Sequence, residues 1–520
     1  MALAAALLGW LFDGLEMGLF PLVQRPALRE LVGTDENDIT LWIGVITSLF
    51  LIGAATGGVL FGWLGDRIGR VRAMMLSVLT YALVSALCGF ANEAWQIGLL
   101  RFVAALGMGG EWSLGVALIN EIWPDRSRAF LAGLIGAAAN VGYFIIALTG
   151  LGLVNRIGDV RGFLESILLP ATWIDSLLAN QGWRFLMMLG ALPALLTLFI
   201  RAFVPESERW QNEKDKGATS HWATYDLFSV LIGAAAAFGI IALWAFKLPL
   251  WAAIPGSIAC FVAVTIGYIY PVVRYLQRSR AAEAVAQSAG TELRAGDPPL
   301  MPIRTAPPTG DPLKRMLIAA CLSGVALLGT WGSTQQAPAV AGKMVEDARK
   351  AQAESEGISV RDLPPAPPAA GYTQLATSAG AILGTILAAL AGNWLGRRVT
   401  YVLMCVGSFV IIQAFFNFTT TFDIQFLIFA FLAGAITASF YGWLPLYLPE
   451  LFPTSIRATG QGFGFNFGRV LAAVGVLQLR SLQEAIGTLP QACAALSFIY
   501  ILGVIVIWFV PETKGQPLPE

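Results

Sequence analysis

Gly62-Trp63-Leu64-Gly65-Asp66-Arg67-Ile68-Gly69-Arg70 follows a long apolar run, and a related stretch returns far down the chain as Ala391-Gly392-Asn393-Trp394-Leu395-Gly396-Arg397-Arg398. Two further stretches repeat in the same order. Glu121-Ile122-Trp123-Pro124 with Arg128 is matched without a gap by Glu450-Leu451-Phe452-Pro453 with Arg457. Val204-Pro205-Glu206-Ser207 is matched by Val510-Pro511-Glu512-Thr513. Three ordered matches of this kind make an internal duplication.

The repeated stretches punctuate apolar runs, each about 20 residues long and so able to cross ~30 Å of hydrocarbon. Runs near 2–23, 41–62, 73–91, 95–119, 130–152, 183–203, 227–246, 250–272, 316–338, 371–391, 399–417, 422–447, 458–478 and 490–510 predict fourteen transmembrane helices. The chain of 520 residues is 56% hydrophobic and only 13% charged. That is about half the charge of a soluble domain, and surface-to-volume scaling argues against burying every run in a water-soluble globule. The short alternating segments of a barrel are absent. The fold class is therefore an all-α polytopic membrane protein.

The duplication divides the spans six and six. It predicts an N-terminal six-helix bundle at 1–203 and a C-terminal one at 316–510, with an inserted two-helix hairpin at 227–272 between them. A cytoplasmic connector at 204–226, a flexible linker at 273–315 and a tail at 511–520 complete the division. An even number of spans places both termini on one side. With that side cytoplasmic, the inner loops hold about 20 Lys and Arg against about 10 outside, as the positive-inside rule requires. The expected location is a bacterial inner membrane. The outer segment 153–182 is expected to form a short surface helix around Phe163–Leu178. The Pro-rich 341–370 is expected to be exposed.

Composition also closes off other functions. Lys+Arg and Asp+Glu are both 33, so there is no basic field for nucleic acid. The five cysteines lie in apolar spans without paired ligand spacing, and His221 is the only histidine, so no metal, cofactor or catalytic triad is expected. The glycine clusters, such as Gly107-Met108-Gly109-Gly110, lack the following Gly-Lys-Ser/Thr of a nucleotide loop and instead suit close helix crossing. The chain opens directly into a span without a basic leader, so no removed signal peptide is expected. Two similar bundles rocking about a central site offer a physical use for the duplication.

With these motifs in register the chain resembles the major facilitator superfamily. Gly62–Met74 is similar to its signature between spans two and three, Arg101–Glu111 to its fourth-span motif, and Pro205–Trp210 and Pro511–Gly515 to its half-ends. Gly9-Trp10-Leu11-Phe12-Asp13-Gly14, Gly107-Met108-Gly109-Gly110-Glu111-Trp112 and Arg457-Ala458-Thr459-Gly460-Gln461-Gly462 resemble the proton-coupled organic-acid branches, including the sialate and lactate/pyruvate symporters. Gly332-Ser333-Thr334-Gln335-Gln336 is similar to the His-Gly-Ser-Gln-Asp stretch of the monocarboxylate transporters, with Gly332 in the place of the His and Gln336 in that of the acid. The resemblance implies alternating access. Fourteen spans depart from the usual twelve.

Ionisable residues inside the spans are the site candidates, because a charge there is costly unless it meets water or an opposite charge. Asp13 and Glu16 lie three apart on one face of the first span, with Asp13 near the midplane by a rise of ~1.5 Å per residue. Arg101 is placed to meet Glu16 or Asp13, and the resemblance associates it with proton coupling. Asp13 is expected to carry the proton with Glu16 and Arg101 as modulators; static ion pairing is the alternative. Glu111, Asn140, Tyr143, Thr334, Gln335, Gln336, Asn466 and Arg469 are the expected substrate-binding residues, with Arg469 the cation for an anionic solute. Asp66, Arg70, Glu121, Arg128, Glu450 and Arg457 are expected to form a gating latch. The aromatic residues are expected to serve packing. The expected function is proton symport of a small organic anion by a monomer in the lipid bilayer; transport of a neutral sugar or polyol is the alternative, and an enzyme lacks any catalytic constellation.

Overall fold

The computed structural model describes residues 2–122, 127–215, 218–246, 248–290, 311–360, 362–364 and 366–519. All regular structure among them is helical. The first half runs α1 (Ala2–Leu31), α2 (Glu36–Ile68), α3 (Arg70–Leu87), α4 (Ala94–Ile122), α5 (Arg128–Asn155), α6 (Ile157–Ser166), α7 (Ala171–Met188) and α8 (Ala194–Phe203). A short α9 (Glu208–Asp215) leads to the hairpin α10 (Leu227–Ala245) and α11 (Leu250–Gly290). Then come α12 (Pro312–Gly332), α13 (Ala337–Glu356), α14 (Ala369–Leu395), α15 (Arg397–Phe418), α16 (Ile424–Thr437) and α17 (Phe440–Tyr447). The chain closes with α18 (Arg457–Asn466), α19 (Gly468–Ile486), α20 (Leu489–Leu496) and α21 (Ile499–Val506).

Thirteen helical segments among the described residues are long and apolar enough to cross a membrane. The expected span at 183–203 is not one continuous helix. It is broken by a 3-10 turn at Leu189–Ala191 and by Pro193, which cannot donate to the helix ladder. The outer segment also differs from expectation. It forms two short helices, because Leu168 takes φ 63° between them, and a second break with φ 46° to 68° at Asn180, Gln181 and Gly182 separates the surface portion of α7 from its membrane portion. The expected linker is helical as far as Gly290; residues 291–310 lie outside the described residues. In the Pro-rich segment, helix α13 continues to Glu356 and is ended by Gly357, at φ 66°, ahead of the prolines.

Glycines set how closely the helices cross. A Cβ at Gly14 would overlap the Ala139 carbonyl, and one at Gly142 the Leu11 carbonyl, so α1 and α5 pack backbone on backbone. Gly57 against Leu106 and Gly109 against Ala54 do the same for α2 and α4. In the second half, Gly384 meets Ala435 and Gly434 meets Thr377, joining α14 and α16. Without a hydrophobic driving force between helices in lipid, this close packing is a main source of association. The two halves meet along α5 with α14 and α17, and along α2 with α18 and α19.

The hairpin lies against that second seam. Tyr268 Oη and Thr56 Oγ1 are hydrogen-bonded at 2.7 Å, Tyr268 and Phe261 pack on Phe467, and Phe238 packs on Phe102. Its opposite face exposes Phe228, Ile232, Trp251 and Ile258. At its base Arg278 pairs with Asp226 at 2.5 Å.

Overpacking a filled contact costs ~1–3 kcal/mol or more. Gly57→Val, which forces a side chain onto the Leu106 backbone, is expected to lower the thermal midpoint in detergent and to reduce the monodisperse fraction. Gly44→Ala is the control, since nothing lies within 4 Å of a Cβ there; equal losses in both variants would count against this account of the helix crossings.

Candidate functional site

The two Gly-Arg turns lie on the same side of the molecule and are built alike. Gly69 and Gly396 have φ 115° and 96°, a backbone that only glycine adopts without strain. Each turn exposes the first N–H groups of the next helix, and a glutamate from the end of the same half accepts from them. Glu206 takes Arg70 N at 2.8 Å and Val71 N at 3.2 Å; Glu512 takes Arg397 N at 2.9 Å and Arg398 N at 3.1 Å. Burial works against charge on Glu512, yet the N–H groups of Arg397, Arg398 and Lys514 hold its carboxyl below the usual carboxylate range.

Contacts between the halves cross this side. Asp66 pairs with Arg70 at 2.5 Å, and its other oxygen accepts from Thr459 N at 2.9 Å in the opposite half. Arg70 Nη2 donates to the Thr454 carbonyl at 3.0 Å. Glu450 accepts from Arg128 of the first half at 3.1 Å, from Arg397 at 2.7 and 3.0 Å, and from Thr513 at 2.5 Å. Deeper in, Gln461 Nε2 donates to the Ser113 carbonyl at 2.5 Å and Asn466 Nδ2 to the Gly109 carbonyl at 3.0 Å. Arg457 holds the main chain, donating to Phe452 O at 3.2 Å and Pro519 O at 2.5 Å. The side chain of Glu121 lies outside the described residues. The duplicated acids are thus used unequally. Where the first half has Asp66 the second has Asn393, and Glu450 takes over the guanidinium of Arg397.

Beyond these contacts lies a cavity between the halves, with an empty volume of about 950 Å³ including the space at its mouth. Asp13, Asn140, Tyr143, Thr334, Gln335 and Arg469 of the expected site residues line it. Asn140 Nδ2 donates to the Gly136 carbonyl at 2.9 Å, and Thr334 Oγ1 shares a hydrogen bond with Thr437 Oγ1 at 3.0 Å. The remaining expected residues are not among those lining it. Gln336 turns back to the Trp331 carbonyl at 2.9 Å, and Asn466 is spent on the contact with Gly109. Glu16 forms a buried ion pair with Arg101 and accepts from Ser85 Oγ at 2.7 Å; the Arg101 guanidinium also lies 4.3 Å from the Phe50 ring centroid. Glu111 lies behind Asp13, with one oxygen against the bare backbone of Gly9.

Arg469 differs from Arg101. It is 5% exposed, and its Nε and Nη1 have no hydrogen-bond partner among the described residues. Asp13 is the carboxyl group that lines the cavity with it among the described residues, and the Arg469 guanidinium lies 5.4 Å from the Phe465 ring centroid. Several lining residues were not expected from sequence. Trp10, Trp112, Trp331, Tyr441 and Phe465 are aromatic walls as well as packing, and Trp112 stacks on Phe465 across the seam at 3.7 Å. Gln374, an amide inside a span, carried a signal that hydropathy averaging passed over.

Residues 2–226 and 402–520 match the family described as sugar (and other) transporters. The chain belongs to that family. The inserted hairpin falls in the unmatched interval. A cis,cis-muconate transport protein of Acinetobacter baylyi is 25% identical, over 99% of this chain and 95% of that one. A protein of Cupriavidus pinatubonensis named "Probable 4-methylmuconolactone transporter" is 23% identical, over 98% and 89%. Among solved structures, the proton:xylose symporter XylE of E. coli, a major facilitator superfamily protein, superposes with a TM-score of 0.62 over 100% of this chain and 97% of that one, at 17% identity. The fold is therefore the major facilitator fold. The protein is a multi-pass secondary transporter of a small solute in a bacterial inner membrane, and not an enzyme.

Removing one partner of a buried ion pair costs ~3–5 kcal/mol. Glu450→Gln removes the carboxylate that Arg128 and Arg397 share, and so is expected to weaken closure on this side and to slow transport more than tenfold. Equilibrium binding of the solute to purified protein should stay nearly intact, since Glu450 is remote from the cavity lining. An equal loss of binding and transport would contradict a gating role.

Proposed function

We propose that the protein is a proton symporter of a small organic anion. The observation that carries this reading is Arg469, a buried guanidinium on the cavity wall with donors unspent. An anion-accepting group with open hydrogen-bond donors in a low-dielectric site favours a carboxylate ligand. The printed names of two relatives, a muconate and a methylmuconolactone transporter, agree with an acid or acid-derived solute. Asp13, the one carboxylate among the lining residues, stands as the proton carrier. The ion pair of Arg101 with Glu16 supports the fold around it.

In this reading residues 1–203 and 316–510 are the two rocking bundles, and the hairpin 227–272 packs outside the solute path. The Gly-Arg turns and both termini are cytoplasmic, so the contacts of Asp66, Arg70, Arg128, Glu450 and Thr459 close the inner side, and a monomer suffices. Neutral sugars remain the second reading, favoured by the amides of Asn140, Gln335 and Gln374 and the aromatic walls.

Proteoliposome uptake of a panel of carboxylates and sugars, with and without an inward proton gradient, separates the two. A carboxylate is expected to accumulate against its gradient only when the proton gradient is imposed. Arg469→Ala is expected to abolish that uptake, and Arg469→Lys to weaken it by at least tenfold, because a point charge replaces a fork of donors. Uptake of a sugar with no carboxylate uptake would overturn the anion reading.

A further inference from the structure

Among the described residues, the charges buried in mid-span do not balance as they stand. Asp13, Glu16 and Glu111 are three carboxyls, Arg101 and Arg469 are two guanidiniums, and all five are at most 5% exposed. Glu16 and Arg101 neutralise one another in direct contact. Asp13 and Glu111 are left beside one cation. They come from α1 and α4, where the Glu111 carboxyl lies against Gly9, one helical turn before Asp13. The groups facing them are Tyr81 of α3, beside Glu111, Glu16 one helical turn along α1, and Arg469 of α19; Tyr143 of α5 and Tyr441 of α17 face Arg469. Asp13 Oδ1, Glu111 Oε2 and the Tyr81 hydroxyl have no hydrogen-bond partner among the described residues. Gly9 is the seat of Glu111: any Cβ there would overlap its carboxyl oxygen.

Resting on the anion-symport reading, we propose that Asp13 and Glu111 act as one proton-holding pair, with a single proton when the cavity is empty and two when a monoanion sits on Arg469. The second, independent observation behind this is the open donor set of Arg469, which faces the cavity together with Asp13.

The charge count gives the coupling. In the empty protein one proton on the pair, one negative charge and Arg469 sum to zero. A carboxylate on Arg469 takes up that positive charge. The pair then regains neutrality by binding one more proton from the open side, on the oxygen of Asp13 that faces the cavity. Both the empty and the loaded forms are then neutral within the membrane, which is the condition for either to reorient at low cost. When the loaded cavity opens inward, anion and proton leave together and the first proton stays between the two carboxyls. One proton accompanies each monoanion, and transport moves no net charge. Glu111 acts here without touching the solute, as the group that keeps the resident proton and passes the transported one through Asp13.

The test has two arms on the full-length protein. The first needs no solute. Infrared difference spectra in lipid at neutral pH are expected to contain the carbonyl band of a buried protonated carboxyl. That band should vanish in Glu111→Gln, where Asp13 is left to pair as a carboxylate with Arg469, and about double in Arg469→Gln, where the cation is gone and both carboxyls must be neutral. Gly9→Ala, which displaces Glu111 from its seat, should shift or remove the band even if Glu111→Gln fails to fold. A wild-type protein with no such band, or a band unchanged in both Glu111→Gln and Gly9→Ala, overturns the pair. The second arm titrates detergent-solubilised protein in weak buffer with pyruvate, lactate, gluconate and benzoate while recording pH. Each bound monoanion is expected to draw in one proton in the wild type and none in Glu111→Gln. Binding without proton uptake overturns the pair and leaves the anion reading standing. Binding of none of the four, with the band behaving as expected, counts against the anion reading and leaves the resident proton of the pair standing.

Discussion

A charge placed inside a membrane-spanning helix must meet an opposite charge, a dipole or water, and nearly every feature of this transporter's interior follows from that constraint. The chain carries three carboxyls and two guanidiniums in the middle of its spans. One pair, Arg101 with Glu16, is closed off and further wrapped by Ser85 and the ring of Phe50. The other three groups border the cavity or stand just behind it, so their balance depends on what the cavity holds. The same physics separates a structural ion pair from a working one. The first has its guanidinium and carboxylate in direct contact, and the second keeps its guanidinium without such a contact among the described residues.

The gate obeys the same rule at the water-facing ends of the helices. There the arginines of both Gly-Arg turns are buried, but each has several acceptors, including a main-chain carbonyl of its own half and, for Arg70, one of the opposite half. Such contacts are multiple and individually replaceable, which suits a surface that must part and close again. Glu206 and Glu512 keep the turns rigid by capping the helices they start, so that motion is confined to the seam. The loss of symmetry at Asn393 is instructive. It frees Arg397 to reach Glu450, and Glu450 then binds arginines from both halves.

Close helix crossings make the interior possible. Small residues let α1 lie against α5 and α2 against α4 backbone to backbone, and the bare surface of Gly9 admits Glu111 next to α1. The hairpin adds a third element to the α2 and α19 seam without contributing to the cavity lining among the described residues. Its outward apolar face is what a helix pair in contact with lipid must present.

The spans, the duplication and the paired Gly-Arg turns were legible in the residues, because hydrocarbon thickness dictates run length and a turn with positive φ demands glycine. Asp13 and Arg469 were legible too, as charges where few are tolerated. The break in the sixth span was not, since Pro193 sits inside a run whose average hydropathy remains high. Nor could the residues say which carboxyl meets which guanidinium. Asp13 and Glu16 are alike in type and close in depth, and helical spacing alone leaves either free to face Arg101. The partners are set by the crossings of α1, α4 and α19, which put Arg101 on Glu16 and leave Arg469 with Asp13 at the cavity wall. Gln336 and Asn466 were expected in that wall and lie outside it: Gln336 turns back to the Trp331 carbonyl five residues earlier, and Asn466 is drawn to the Gly109 carbonyl of the other half. Local sequence dictates which segments cross the membrane and where a charge is costly; the packing of distant helices dictates which charges are spent on each other and which are kept for the solute.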